Sequence, residues 1–213
     1  MLGGLMNKYE EALKEFTTTE TSRFTLNCLF YQDEIVAATD GHVAGFCSRE
    51  LVPELPPVHG NPPNIKAVIP TTTGQGVTVP VSILVNQDAD AARSAYRREM
   101  AVYQEKECSD CRGTGLCECS CGDEHDCKEC DGDGYSTVEP KKPNDPVVSL
   151  NGRAFMYHPL SKLRRAAEKL GAAEVTFIDA GPNYAGVFKF YEMTAIVMPA
   201  RPQDHQKPIE LLS

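Results

Sequence analysis

The chain has 213 residues, of which 41% are hydrophobic, and a formal net charge of −9 at neutral pH. This length suits one domain with an insertion or two small domains, with enough apolar material for a packed core. Residues 1–9 lack the apolar run of a signal peptide and no stretch could span a bilayer, so we expect a cytoplasmic protein with reduced thiols and no membrane contact.

The N-terminal third is predicted to form a helix followed by three strands. Apolar residues at helical spacing over 7–16 predict an amphipathic helix. Alternating apolar residues over 23–31 predict a half-buried strand. Shorter apolar runs at 35–38 and 42–46 predict two more strands.

The middle of the chain begins with a connector rich in proline, residues 52–63, which can be neither a helix nor a central strand. Apolar runs at 65–69 and 77–85 then predict two strands. The apolar spacing over 88–106 predicts a helix that leads directly into a cluster of cysteines.

Seven of the nine cysteines lie between Cys108 and Cys130, which in a reducing compartment indicates metal rather than disulfides. Cys108 and Cys111 belong to one Cys-x-x-Cys-x-Gly-x-Gly knuckle, and Cys127 and Cys130 belong to a second. Two such pairs can close a tetrahedral four-thiolate zinc site that leaves no position for water, so the zinc is predicted to be structural. The doubled knuckle, which ends at Gly134, resembles the DnaJ cysteine-rich family, although DnaJ itself has four knuckles and two zinc sites.

The segment between the knuckles offers further ligands. It contributes Cys117, Cys119, Cys121 and His125. Three thiols and one imidazole could complete a second zinc site, but they could equally be free thiols or alternative ligands of the first site. The sequence therefore predicts one Zn²⁺ ion and leaves a second open.

The cysteine-rich segment is strongly acidic. Residues 104–134 contain ten acidic and three basic side chains, a formal charge of −7. Zinc held by four thiolates adds a charge of about −2. Such a surface repels phosphate, which argues against a nucleic-acid finger and favours a protein partner, including a basic one. The alternative is a solvated acidic module that only aids solubility.

The last third is predicted to be β-α-β-β-β. A linker at 139–146 precedes it, and Pro159 and Gly171 mark the first turn and the C-terminal cap of its helix. Its similarity to the α-β-β-β order of the first third indicates an internal duplication. The predicted strands cover residues 147–155, 174–179, 184–191 and 194–198.

Two segments outside the cysteine cluster resemble one domain of the bacterial DNA polymerase III β sliding clamp. The first, residues 22–44, contains Ala-Thr-Asp-Gly-His at 38–42. The second, residues 155–201, ends in Val-Met-Pro-Ala-Arg. Val43 stands where the family usually has Arg-Leu, and the resemblance covers roughly half of the chain. It implies an α+β fold: a single DNA-clamp-like domain of two β-α-β-β-β-like halves, with antiparallel sheets and helices on one face, interrupted by a zinc-binding hairpin module.

The domain organisation follows from placing the zinc module inside the clamp-like domain. We expect the first part of that domain at 1–103, the DnaJ-type zinc-binding insertion at 104–138 and the second part at 139–213. A clamp ring contains six such domains, so the resemblance implies a homo-oligomer if this chain encircles DNA, and otherwise an adaptor or decoy. Its small size and inserted module suggest a phage or mobile-element protein.

The clamp resemblance also implies a surface that contacts DNA. In clamps, helices lining the ring offer basic residues to the DNA backbone without reading its sequence. Lys162, Arg165 and Lys169 share one face of the helix at 159–170, with Arg164 beside them. The alternative is an ordinary solvated helix face.

No sequence feature indicates catalysis. A nucleophile elbow, a phosphate-binding loop and a dinucleotide fingerprint are all missing from the sequence, so we expect a non-enzymatic protein. Two functions remain. The first is a sliding-clamp-like protein associated with DNA replication or its modulation. The second is a zinc-dependent protein-binding module or regulator of the DnaJ or anti-TRAP type, with no role at DNA.

Overall fold

A computed structural model describes residues 7–18, 26–58, 61–71, 74–101, 105–118, 124–137, 145–181, 184–200 and 208–211. The chain divides into two compact units. One is Met1–Asn86 with Asp145–Ser213, and the other is Gln87–Asn144. The second unit begins earlier than the insertion predicted at 104–138, because it includes the helix that precedes the cysteines.

The described residues form three α-helices and fourteen strands, with short 3-10 turns between some of them. In chain order they are α1 (Lys8–Lys14), β1 (Phe30–Gln32), β2 (Ile35–Thr39), β3 (Val43–Ser48), β4 (Val77–Pro80), α2 (Gln87–Ala101), β5 (Glu105–Glu107), β6 (Leu116–Glu118), β7 (Glu124–Asp126), β8 (Tyr135–Thr137), β9 (Val147–Leu150), β10 (Arg153–Met156), α3 (Tyr157–Leu170), β11 (Glu174–Ile178), β12 (Gly186–Phe190), β13 (Met193–Val197) and β14 (Ile209–Glu210).

The first unit is built on a seven-stranded sheet in the order β1-β2-β3-β13-β12-β11-β4. All neighbouring strands in this sheet are antiparallel. Its two halves meet where β3 pairs with β13, with Gly45 opposite Ala195. Each half contributes a helix followed by a three-stranded meander, α1 with β1–β3 and α3 with β11–β13. The predicted α+β class and the edge-to-edge joining of two similar halves are confirmed.

The two helices of this unit pack side by side near the junction of the halves. Helix α1 contacts α3, β2 and β3, and α3 contacts β13. Phe16 lies against Gly45 and leaves no room there for a Cβ atom. Farther along the sheet, Phe155, Phe177 and Phe188 form an aromatic cluster with ring centroids 5.0–5.8 Å apart. Burial of these rings and of the helix faces provides the main apolar core.

The connector rich in proline helps to form a second apolar cluster. Ile65 is buried there, and Val58 and Ile69 pack against it. The predicted strand at 65–69 is wrong, because the chain forms a 3-10 turn at Ile65–Val68 whose Ala67 N–H is capped by Asn64. The other buried members of the cluster are Phe30, Ala37, Ala44, Ile178, Ala185, Val187 and Ile196.

The single strand predicted at 147–155 is a hairpin. Strands β9 and β10 pair across Asn151 and Gly152, which have φ values of 52° and 75°. An Asn-Gly dipeptide with two left-handed residues is the usual two-residue hairpin turn, so the sequence contained this signal. Strand β14 adds to β9 in parallel.

Other boundaries also differ from the prediction. Strand β4 ends at Pro80, where a 3-10 turn at Val81–Leu84 replaces the rest of the strand predicted at 77–85. Strand β1 shares only two residues, Phe30 and Tyr31, with the strand predicted at 23–31, and residues 19–25 lie outside the described part. Among the described residues, no helix has both the length and the apolar character needed to cross a membrane.

Candidate metal centre

The predicted zinc module, residues 105–118 and 124–137, is an internal repeat. Each copy contains a strand, a Cys-x-x-Cys-x-Gly-x-Gly knuckle and a second strand. The strands pair between copies, β5 with β8 and β6 with β7, both antiparallel. Cys108 and Cys127 donate equivalent backbone N–H bonds, to Gly134 O at 2.9 Å and to Gly115 O at 2.8 Å. The two knuckles are therefore related by an approximate two-fold axis.

The structure brings the four knuckle cysteines together. Their sulfur atoms all lie within 4.8 Å of one another, and all four side chains are buried. The Cys108 and Cys127 sulfurs are 3.8 Å apart, and the Cys111 and Cys130 sulfurs are 3.7 Å apart. A tetrahedral zinc ion with Zn–S bonds of about 2.3 Å requires roughly 3.8 Å between its sulfur ligands. The donor set and its spacing fit zinc.

Backbone N–H groups support two of the sulfurs. Gly115 donates to Cys111 Sγ at 3.3 Å, and Gly134 donates to Cys130 Sγ at 3.2 Å. Such bonds orient the ligands and favour the thiolate form needed for metal binding.

These two glycines also allow the knuckles to touch. Gly115 and Gly134 have φ values of 75° and 78°. A Cβ atom on Gly115 would overlap the carbonyl oxygen of Gly132, and one on Gly134 would overlap that of Gly113. No other residue fits either position, because both the conformation and the space exclude a side chain.

The thiols influence one another's ionisation. Burial raises the pKa of Cys111. Hydrogen bonds from the Gly115 N–H and from neighbouring thiols lower this pKa by more, so its net value is about 7. Burial and the neighbouring thiols raise the pKa of Cys130 to about 12, against the effect of the Gly134 N–H. Several thiolates can share this buried space only if a cation compensates their charge.

The structure describes two of the four residues predicted for a second zinc site. Cys117 lies directly opposite His125 in the β6–β7 ladder and packs against the four-cysteine cluster, while His125 is exposed. Cys119 and Cys121 lie outside the described residues. Within the described ranges, the four knuckle cysteines form the one group of three or more metal-ligating side chains close enough to share an ion.

Three basic residues of α3, Lys162, Arg165 and Lys169, face α1 or the β2–β3 turn. Lys162 is 6% exposed, and its Nζ lies 2.7 Å from Asp40 Oδ2 and 2.6 Å from Thr17 O. Arg165 and Lys169 each lie 2.7 Å from a carboxylate oxygen of Glu15. Lys162 is therefore buried rather than on a solvated helix face, because α1 and the β2–β3 turn lie against it.

Arg164 also has an acidic neighbour, since its Nη1 lies 2.9 Å from Glu168 Oε1 one helical turn away. The partner carboxyls respond to these cations. Burial raises the pKa of Asp40, but Lys162 and two backbone N–H groups lower it by more. Burial raises the pKa of Glu15, and Arg165 and Lys169 reverse that shift, so its pKa is also lowered.

No protein-family model and no curated protein matches the chain. In structure it is similar to bacterial DNA polymerase III β sliding clamps. The β chain from Streptococcus pneumoniae is 15% identical, with 92% of this chain and 62% of that chain covered and a TM-score of 0.48. The β subunit from Thermotoga maritima is 14% identical, with 93% and 64% covered and a TM-score of 0.47. The Bartonella birtlesii clamp bound to griselimycin is 14% identical, with 92% and 63% covered and a TM-score of 0.44. This chain spans less than two thirds of the length of each of these clamps.

Proposed function

We propose that this protein is a non-enzymatic, sliding-clamp-like protein associated with DNA replication or its modulation, and that its zinc module binds a partner protein. The observation that carries the proposal is the body of two similar halves, joined through β3 and β13 with α1 and α3 packed together at the junction. The motifs at 38–42 and 197–201, which resemble those of sliding clamps, lie next to that junction in the sequence.

The 38–42 motif has a structural role in this chain. The Asp40 carboxylate accepts the N–H groups of His42 at 2.8 Å and Val43 at 3.0 Å, and it pairs with Lys162 of the other half. Its acidic group is therefore used to fix the turn and to join the halves. This arrangement supports a non-enzymatic role for the motif.

Zinc would stabilise the module rather than take part in chemistry. Cys108, Cys111, Cys127 and Cys130 would hold one Zn²⁺ ion, which supplies the folding energy that so small an apolar core cannot. A second ion, held by Cys117, Cys119, Cys121 and His125, remains a proposal. Native mass spectrometry at neutral pH distinguishes one zinc per chain from two.

A second candidate function, protein binding of the DnaJ or anti-TRAP type without DNA, is favoured by the pairing of the α3 cations. A phosphate group would have to displace Asp40 from Lys162 and Glu15 from Arg165 and Lys169. Separating the buried Lys162–Asp40 pair would be costly, and the partly exposed pairs would resist less.

Retention on circular DNA distinguishes the two candidates. A ring of chains should stay on nicked circular DNA and slide off the same DNA after linearisation, while sedimentation shows a closed oligomer. Binding to both forms that disappears steeply with salt would indicate only electrostatic contact. A monomer that binds neither form would contradict encirclement and favour the second candidate.

A further inference from the structure

We propose that the zinc module carries a docking surface for a basic amphipathic peptide segment, formed by Leu116, Tyr135, Glu107 and Asp126. This inference rests on the proposed protein-binding role of the module. It deepens that role by naming the contact residues and the chemistry of the partner.

The apolar part of the surface is a pair of equivalent residues in the repeat. Leu116 and Tyr135 each follow the last glycine of a knuckle, and they are 42% and 48% exposed. The two glycines touch, since a Cβ on Gly134 would lie 3.3 Å from Gly115 N. Leu116 and Tyr135, which follow these two glycines, therefore begin at neighbouring positions close to the two-fold axis. The metal rather than these side chains would hold the knuckles together, so the exposed side chains of Leu116 and Tyr135 are available to bind a partner.

The acidic part of the surface repeats in the same way. Leu116 lies directly opposite Asp126 in the β6–β7 ladder, and Tyr135 lies directly opposite Glu107 in the β5–β8 ladder. Direct cross-strand partners project on the same face of a ladder. Each ladder thus places one exposed apolar side chain beside one exposed carboxylate.

The position of each carboxylate is also defined by its knuckle. A Cβ atom on Gly113 would lie 3.4 Å from Glu107 Cγ, and one on Gly132 would lie 3.4 Å from Asp126 Cγ. Both acids therefore lie over the left-handed turn of a knuckle, in equivalent surroundings. The two apolar and two acidic residues thus form equivalent pairs in the two copies of the repeat.

Charge and apolar contact together define the partner. The surrounding segment, residues 104–134, has a formal charge of −7, which attracts cationic side chains and repels nucleic acid. An uncharged apolar partner would desolvate the two carboxylates without pairing them. A basic segment with interspersed apolar residues satisfies both components, and an exposed tyrosine is a common anchor at protein interfaces.

The test uses the zinc-loaded full chain and two fluorescent synthetic peptides of equal length and charge. One peptide combines lysine with leucine, and the other combines lysine with serine. We expect the wild type to bind the lysine–leucine peptide roughly tenfold more tightly. The L116S/Y135S variant should lose that preference, while E107Q/D126N should weaken binding of both peptides and reduce its dependence on salt.

A matched control is V68S, which changes an apolar residue of the other unit that is 49% exposed and should leave both affinities unchanged. Zinc content at the wild-type level shows that each variant keeps its module. The inference is overturned if the wild type does not prefer the lysine–leucine peptide, or if L116S/Y135S retains the preference. The circular-DNA assay uses neither peptide, so failure of the clamp proposal there is distinguishable from failure here.

Discussion

At the residue scale, the zinc module depends on glycine as much as on cysteine. The Cys-x-x-Cys-x-Gly-x-Gly spacing was sufficient to predict the four ligands that the structure brings together. It could not show that Gly115 and Gly134 approach the opposite knuckle, because that contact depends on how the two copies pair. The pairs Leu116 and Tyr135, and Glu107 and Asp126, also repeat in the sequence. Their spacing along the chain equals the spacing between Cys108 and Cys127.

Replacing Gly115 by alanine should reduce zinc affinity by roughly tenfold or more, the range found when groups supporting metal ligands are lost. The added Cβ would overlap Gly132 O and displace the N–H that donates to Cys111. Competition with a chromophoric zinc chelator measures the change. The control is G152A, at a turn with φ of 75° and open space, which should keep its zinc. Wild-type zinc affinity in G115A would contradict the tight contact between the knuckles.

The buried Lys162–Asp40 pair gives a second prediction at this scale. Asp40→Asn or Lys162→Met alone should each destabilise the protein by about 3–5 kcal/mol, because each leaves a buried charge without its partner. The double variant should recover part of that loss. Urea unfolding of the three variants forms a double-mutant cycle. Lys66→Met, which breaks the exposed pair between Lys66 and Asp33, is the control for loss of a lysine. Additive losses in the cycle would show that the two residues do not interact.

At the element scale, local patterns predicted most of the body. Apolar periodicity and the Gly171 cap predicted α3, and apolar runs predicted the central strands β2, β3 and β11–β13. The hairpin at Asn151-Gly152 was missed, despite its Asn-Gly turn signal, because apolar residues lie close on both sides of the turn. The packing of α1 against the basic face of α3 was not predicted. Helical spacing shows which residues share a face, but it does not show which element packs against that face. Here α1 covers it, with Glu15 as the acid that meets two of its cations.

The contacts of α3 with α1 and with the β2–β3 turn should weaken in acid. The pKa of Glu15 is lowered by Arg165 and Lys169, and that of Asp40 by Lys162. A carboxyl with a lowered folded pKa contributes stability above its unfolded pKa, near 4, and loses it as pH falls through the folded value. Stability of the body should therefore decline below about pH 4, where the unfolded state binds more protons.

Glu15→Gln removes one of these two groups. Unfolding by urea at a series of pH values should show a shallower decline for E15Q than for the wild type, since one fewer carboxyl takes up a proton on unfolding. Glu10→Gln, at a partly exposed pair with Lys14 within α1, is the control. Identical pH profiles for E15Q and the wild type would contradict the role of Glu15 at this helix contact.

At the scale of the whole molecule, two internal repeats are combined in one chain. The body is a repeat of helix and meander with an apolar core of its own, and the zinc module is a repeat of knuckle and strands around four buried cysteines. The order of motifs and predicted elements along the sequence indicated both repeats. The division of the chain at Gln87 was not visible in the sequence, because the periodicity of α2 resembles that of any surface helix.

Removal of zinc should therefore affect one unit selectively. A strong chelator should increase amide hydrogen exchange throughout residues 105–118 and 124–137, since the knuckles have few apolar contacts without the ion. Protection in β3 and β13 should remain at the level of the zinc-loaded protein. Loss of protection in the β3–β13 pair after chelation would contradict a body that is stable by its own core.

X-ray absorption at the zinc edge, combined with the zinc content per chain, tests the structural metal centre most directly. We predict one zinc ion per chain surrounded by four sulfur atoms at about 2.3 Å. A single bound zinc with nitrogen or oxygen among its ligands, or a purified protein that binds no zinc, would contradict the four-thiolate centre formed by Cys108, Cys111, Cys127 and Cys130.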